Sequence, residues 1–272
     1  MKRIITLLVV VLTCAVGVFG MGGCNKNDGV EEVTINFSGS SSVSPLMQKL
    51  AADYESKNAG VTITITTSDS GTGVSDTLAD KNDVGMASRD LKSTETGLTA
   101  VKICDDGIAV IVHKNSALTN VTAVQLYDLY KDGTAIGDIT DAISREAASG
   151  TRDAFDSLIK KDGTELKKAT AFSGKVSEQN STSGVKTQIA ASPNRIGYIS
   201  LGSLDDTVKA VKFEDVAASA ATVKNGTYKL ARPFNILLKE GKTVPAAVQK
   251  FIDFIKSEDG QKIVEAQGYI KL

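Results

Sequence analysis

Two arginines stand on either side of a Ser-Gly-Thr turn near the middle of the 272-residue chain. Arg145 precedes Ser149, Gly150 and Thr151, and Arg152 follows them. The apolar spacing after the turn predicts a helix that starts near Thr151. Its first N–H groups and the nearby hydroxyls could hold an anion, and either arginine could offer a planar fork of donors to a tetrahedral oxyanion. An ordinary capped surface helix with two solvated arginines would explain the same residues.

Two similar helix starts lie upstream. Ser44 before Pro45 fits the N-cap and first position of a helix that follows a strand. Residues 69–73 form a second Ser/Gly/Thr turn after a strongly β-branched run. A short apolar run then ends at Ser88 and Arg89. Because strand ends and helix starts meet at the ligand crevice of open α/β sheets, the sequence predicts one anion site shared by these segments.

Composition limits the classes of function. A 42% hydrophobic fraction is enough for one large or two modest domains, and strands alternate with helices, which favours an α/β architecture. The formal charge of −1 provides no electrostatic case for nucleic acid. With three cysteines and one histidine in the whole chain, no metal site or cofactor is expected.

Serine catalysis is a weaker interpretation of the many serines. A nucleophilic serine usually needs a positioned base, and His113 is the single histidine. Ser149 lacks the flanking glycines of a nucleophile elbow. The sequence therefore favours a non-enzyme, although a Ser–Lys dyad stays open.

The first 23 residues read as an export signal, with two basic residues before a short apolar run. Residues 21–24 resemble a bacterial lipobox, which predicts lipidation of Cys24, and residues 24–32 suit a flexible tether. We therefore expect an extracytoplasmic protein held at the cell membrane by its lipid alone. An ordinary cleaved signal with an incidental cysteine is the alternative.

Six short motifs together resemble the phosphate-binding proteins of the phosphate-specific ABC importer. In chain order they are residues 38–45, 69–73, 85–89, 145–151, 196–200 and 232–233. The resemblance implies a two-lobed periplasmic-binding-protein fold of type II, with a ligand cleft between lobes joined by two crossover strands. Crossings near Val110 and Arg232 would make lobe one from residues 33–109 plus 232–272, and lobe two from residues 110–231.

The resemblance also implies which residues contact phosphate. Carried over by position, they are Ser41, the backbone N–H of Ser42, Ser70, Arg145, Ser149, Gly150 and Thr151. Ser88 stands where some members have an aspartate that accepts the proton of phosphate and repels sulfate. Either Asp69 or another carboxylate could take that role. Arg89 could bind the anion directly or pair with an acid.

The expected function is capture of inorganic phosphate by a monomer and its delivery to a membrane permease driven by an ATPase. Three alternatives remain open at this point. The cargo could be sulfate, molybdate or another tetrahedral oxyanion; the protein could be a sensory or adhesive lipoprotein; or, less in keeping with the residues, a secreted serine hydrolase or phosphatase.

Overall fold

The structure is a computed structural model that describes residues 32–168 and 171–272. The expected export signal, Cys24 and all of the tether except Glu32 lie outside the described residues. Within the described ranges, no helix combines the length and apolar character that a membrane crossing requires.

Strands and helices alternate along most of the described chain, which confirms the expected α/β class. The strands are β1 (Val33–Ser40), β2 (Val61–Ser68), β3 (Val84–Ala87), β4 (Leu98–His113), β5 (Asn120–Val121), β6 (Asp141–Arg145), β7 (Lys160–Lys161), β8 (Thr164–Glu165), β9 (Val176–Gln179), β10 (Arg195–Ser200), β11 (Val208–Ala210), β12 (Lys212–Phe213) and β13 (Ala231–Lys239). The α-helices are α1 (Ser44–Lys57), α2 (Ser70–Leu78), α3 (Ala123–Asp132), α4 (Gly150–Leu158), α5 (Thr182–Ala190), α6 (Ala220–Lys224), α7 (Ala246–Lys256) and α8 (Glu258–Ala266).

One long sheet runs through the described residues in the order β2-β1-β3-β13-β4-β10-β6-β9, and β11 also pairs with β4. β1 is parallel to β2 and β3, and β6 is parallel to β9 and β10. β4 joins the two parts of the sheet, because it pairs with β13 from Leu98 to Gly107 and with β10 from Ile108 to Val112. The two antiparallel strands β4 and β13 thus form the centre of the sheet.

A separate hydrophobic core lies on each side of this centre. The first core holds the apolar face of α7 against β1, with the rings of Phe37 and Phe251 edge to face at 5.6 Å. The second core packs α3 and α4 against the second part of β4, and Phe155 stacks on Tyr198 at 3.9 Å. The second part of β4 is buried on both faces, as its continuous apolar run predicts.

Two helix starts differ by one residue from those that the sequence predicts. Ser44 is not the N-cap of α1: it is already helical, and its hydroxyl donates back to the carbonyl of Ser40 at 3.1 Å. Val43 occupies the cap position without a side-chain bond. In contrast, Ser149 caps α4 by accepting from Arg152 N at 3.3 Å, and the helix begins at Gly150, beside the expected Thr151.

Candidate functional site

The predicted arginine lies at the centre of a buried group of hydroxyls. Arg145 ends β6 with its side chain only 2% exposed. Its Nη2 donates to Ser41 Oγ at 3.1 Å, and its Nη1 donates to Thr182 Oγ1 at 3.4 Å. Ser42 Oγ lies 2.8 Å from Thr151 Oγ1 and 3.1 Å from Thr182 Oγ1. Residues from β6, α4, α5 and the segment after β1 therefore meet around one guanidinium.

Glu146 holds that guanidinium in place. Arg145 donates to Glu146 through Nε at 2.8 Å and through Nη2 at 2.7 Å, a bidentate ion pair. Such a fork fixes the plane of the guanidinium and leaves its other edge for a ligand. An anion at this edge would meet a preoriented cation whose charge is shared with a carboxylate.

A second group of buried hydroxyls adjoins the first. Ser70 Oγ lies 3.3 Å from Ser88 Oγ and accepts from the N–H of Ser88 at 3.1 Å. A Cβ built on Gly150 would come within 2.3 Å of Ser70 Oγ. Gly71 N–H also donates to the carbonyl of Ala148 at 3.1 Å. The first turns of α2 and α4 therefore touch directly.

Three helix N-termini point into this region, and each has a local cap. Asp69 accepts from Thr72 N at 2.8 Å at the start of α2, and Ser149 caps α4. Ser181 accepts from Gly184 N at 3.1 Å at the start of α5. Helix N-termini carry positive partial charge, so together they favour an anion between them.

Asp69 and Arg89, the two further candidates for ligand contacts, are hydrogen-bonded to residues near them in the sequence. Asp69 also accepts from the hydroxyl of Thr72 at 2.8 Å, so its carboxylate is occupied as a cap. Arg89 makes a bidentate pair with Glu95, both bonds at 2.7 Å, and its Nε lies 3.9 Å from Asp153 Oδ2. These contacts favour the structural interpretation of Arg89.

Arg152, the second arginine considered from the sequence, turns away from the hydroxyls. It donates to the carbonyl of Arg145 at 2.8 Å and to Asp156 Oδ2 at 3.3 Å, and it pairs with Glu178. Burial raises the pKa of the Asp156 carboxyl to about 7, although the positive charge of Arg152 opposes this shift. Arg152 therefore holds the turn through the carbonyl of Arg145, while the Arg145 side chain contacts the hydroxyls.

Sequence reasoning missed two residues of the site. Thr182 belongs to a fourth Ser/Thr/Gly helix start, residues 181–184, whose composition matched the other three and was a usable signal. Arg232 was noted in a motif, but not as a neighbour of Ser88. Its Nη1 donates to Ser88 Oγ at 3.2 Å across 144 residues of sequence, and no local pattern predicts that contact.

Three observations bear on the metal-site and serine-hydrolase interpretations. Among residues 32–168 and 171–272, no cluster of histidine, cysteine and acidic side chains could hold a metal ion. Cys104 is buried, and burial raises its thiol pKa well above the usual value. The His113 Nδ1 accepts from Asn115 N at 3.2 Å at the end of β4.

Comparisons with known proteins agree on one family. A family model described as a PBP superfamily domain matches residues 26–259. A solved putative phosphate ABC transporter substrate-binding protein with bound phosphate from Clostridium perfringens is 36% identical, and the match covers 88% of this chain and 100% of that chain with a TM-score of 0.82. An ABC-type phosphate transport receptor from Vibrio cholerae is 31% identical over 88% of this chain and 100% of that one, with a TM-score of 0.69. The curated phosphate-binding protein PstS 2 of Streptococcus agalactiae is 45% identical over 132 residues, which is 48% of this chain and 45% of that protein.

Proposed function

Because the chain belongs to the PBP superfamily and, within it, to the PstS-like phosphate-binding proteins, we propose that it captures inorganic phosphate outside the cytoplasm for an ABC importer. Its fold is that of the periplasmic binding proteins, with mixed α/β content and a curled sheet. The Clostridium perfringens relative is a substrate-binding protein by name, and we propose a binding, non-catalytic role for this chain as well. The chain matches less than half of the length of the Streptococcus relative.

Arg145 is the residue on which the proposal chiefly rests. It is buried, held by Glu146, and directs its remaining N–H groups toward the hydroxyls of Ser41 and Thr182. A tetrahedral oxyanion between these groups would receive charge-assisted bonds in fixed directions. The neighbouring helix N-termini would add further N–H donors.

The proposed phosphate contacts come from both parts of the sheet. We assign them to Ser41, Ser42, Ser70, Ser88, Arg145, Ser149, Gly150 and Thr151, with Thr182 added from the geometry. Ser149 would act through its backbone, because its hydroxyl caps α4. Asp69 and Arg89 are occupied by Thr72 and by Glu95, so neither is assigned a ligand contact.

The proposed domain division follows the strand that joins the two parts. Lobe one would contain residues 33–109 and 232–272, and lobe two would contain residues 110–231. Support comes from β4, which changes its partner from β13 to β10 between Gly107 and Ile108. Closure of the two lobes would then bring Ser70 and Gly150 together around the ligand.

The proposed location is the outer face of the cell membrane. An export signal in residues 1–23, lipidation of Cys24 and a tether to residue 32 would keep a monomeric carrier close to its permease and ATPase. The lipobox-like sequence before Cys24 supports this, although it lies outside the described residues. The alternatives are carriage of another oxyanion, a sensory or adhesive role and, less in keeping with the residues, a secreted serine hydrolase or phosphatase.

Calorimetric titration of the full chain in detergent, freed of bound ligand, tests the proposal. We expect phosphate to bind with a micromolar or lower dissociation constant, which corresponds to a binding free energy of about −8 kcal/mol or more negative. Arsenate, molybdate and sulfate form the comparison series. Absence of phosphate heat in a folded protein would reject the proposal, and tighter binding of another anion in the series would change the cargo.

A further inference from the structure

A buried ion pair links the two central strands directly behind the proposed site. Arg232 on β13 and Asp106 on β4 are register partners and are only 4% and 0% exposed. Arg232 donates to Asp106 Oδ2 through Nε at 3.2 Å and through Nη2 at 3.0 Å. Ser200 on β10 donates to Asp106 Oδ1 at 2.8 Å. Both carboxylate oxygens are thus engaged.

The pair extends toward the site through one bond. The remaining terminal nitrogen of Arg232, Nη1, donates to Ser88 Oγ at 3.2 Å. We propose that Arg232 is a positioning residue that makes the Ser88 hydroxyl a hydrogen-bond donor to the bound anion. This inference rests on the proposed function, because it assigns a role within the same binding site.

The hydrogen-bonding inventory of Ser88 carries the inference. A serine hydroxyl has one proton to donate and two lone pairs to accept with. Arg232 occupies one lone pair with a cationic donor, which makes the oxygen a poorer acceptor and its own proton a stronger donor. Ser70 Oγ accepts from the N–H of Ser88 and lies 3.3 Å from Ser88 Oγ, so in this structure one of the two hydroxyls donates to the other. An anion that displaces this contact would receive the protons of both serines.

The surroundings of Arg232 fix its guanidinium in one orientation, with Nη1 at Ser88. Asp106 takes two of its nitrogens, and the guanidinium lies over the ring of Phe234, with its central carbon 5.3 Å from the ring centroid. Of the other buried arginines near the site, Arg145 donates to Ser41 and Thr182, and Arg89 pairs with Glu95. Arg232 is therefore held with Nη1 at Ser88, and the assignment gives it an effect on the ligand through that hydroxyl.

A double-mutant cycle on the full chain tests this assignment. The first change replaces the whole ion pair by apolar residues, Asp106→Leu with Arg232→Met, because removing one partner would leave a buried unpaired charge. The second change is Ser88→Ala. Phosphate affinity is measured by calorimetry for each change and for their combination, and thermal unfolding without ligand checks that each variant is folded. Arg195→Met, which removes an arginine bonded to Gln188, is the matched control.

If Arg232 acts through Ser88, the pair replacement lowers phosphate affinity about tenfold, the worth of one charged hydrogen bond. In the Ser88→Ala background the same replacement changes affinity less than about twofold, because the bond it supports has gone. If the pair replacement lowers phosphate affinity equally in the native and the Ser88→Ala backgrounds, the assignment is overturned. Unchanged phosphate affinity after the pair replacement overturns it as well. Native protein that binds no phosphate would instead reject the proposed function.

Arg232→Lys provides the second measurement should Ser88→Ala bind too weakly to titrate. Lysine keeps a cationic donor beside Ser88, although it loses the planar fork toward Asp106. We expect its phosphate affinity to lie within about threefold of the native value, well above that of the pair replacement. A loss as large as that of the pair replacement overturns the assignment.

Discussion

Gly150 and Ser70 are in direct contact across the site, and the contact leaves no room for a side chain at position 150. An added Cβ would lie 2.3 Å from Ser70 Oγ and 2.8 Å from Ser88 Oγ. The φ angle of Gly150 is not in the left-handed region, so the requirement for glycine comes from the neighbouring serines and not from the backbone. The first turn of α4 can approach α2 this closely only without a Cβ.

Gly150→Ala should therefore weaken phosphate binding while leaving the fold intact. Overpacking of this kind costs about 1–3 kcal/mol, which corresponds to a roughly fivefold to 150-fold loss of affinity. Calorimetry measures the loss. Gly174→Ala is the control, because a Cβ there meets nothing within 4 Å. Native affinity in Gly150→Ala would mean that the two turns separate in the bound state.

Arg145→Ala should reduce phosphate affinity at least about 100-fold, because it removes two or more charge-assisted bonds at about 1.5–3 kcal/mol each. Glu146→Gln should cost less, since the guanidinium stays but loses its ionic clamp. Arg195→Ala serves as the control for loss of an arginine outside the site. Equilibrium titration with phosphate gives all three values, and unchanged affinity in Arg145→Ala would remove that residue from the site.

Sulfate should compete with phosphate for the site, and its dissociation constant should lie within about 100-fold of that for phosphate. Discrimination between these anions needs an acceptor for the phosphate proton or a negative charge facing the ligand. The carboxylates nearby are already bonded to other groups: Asp69 to Thr72, Glu146 to Arg145 and Asp106 to Arg232. Competition calorimetry at about pH 8 measures the ratio. A preference for phosphate above about 10⁴-fold would show that one of these carboxylates turns to the ligand on binding.

Arg89→Gln should affect stability more than binding. The pair with Glu95 is largely buried, with side-chain exposures of 5% and 15%. Losing its charged bonds should cost about 2 kcal/mol, or roughly 4–8 °C in Tm for a domain of this size. Phosphate affinity should change less than about fivefold. Glu95→Gln is the matched variant, since a structural pair predicts similar effects from both. A large affinity loss in Arg89→Gln alone would identify Arg89 as a ligand contact.

Asp156→Asn should stabilise the protein at about pH 8 and much less at about pH 5. Burial raises the folded pKa of this carboxyl from 3.8 to about 7. The folded state therefore keeps a proton that the unfolded state has lost, so the free energy of unfolding falls as the pH rises from 3.8 to about 7. Asparagine removes that penalty, while Arg152 keeps its contact with Glu178.

Thermal unfolding at both pH values checks the prediction. We expect a rise in Tm of at least about 3 °C at the higher pH, the equivalent of about 1 kcal/mol. Asp205→Asn is a useful contrast, because Lys186 and Thr207 lower the pKa of Asp205 to about 2. Replacing the Asp205 carboxylate should lower Tm slightly at both pH values. An Asp156→Asn variant that is equally stabilised at pH 5 and pH 8 would contradict the linkage.

Several local features of this protein follow from its amino-acid sequence alone. Ser149 as a cap, the buried run of β4 and the apolar face of α7 follow from hydrogen-bonding chemistry and side-chain periodicity among neighbouring residues. The same local signals erred by one residue at Ser44, where the hydroxyl found a carbonyl acceptor at Ser40. They also indicated the region of the α4 start and the importance of Arg145.

Which charges and hydroxyls meet depends on the folding of distant parts of the chain. Thr182 reaches Ser42 across 140 residues of sequence, and Arg232 reaches Ser88 across 144. Arg89 could bind an anion or pair with an acid by its sequence alone, and the position of Glu95 after folding favours the pair. A guanidinium takes whichever acceptors the sheet order brings within about 3 Å of it, and sheet order is a property of the whole chain that no neighbouring residues encode.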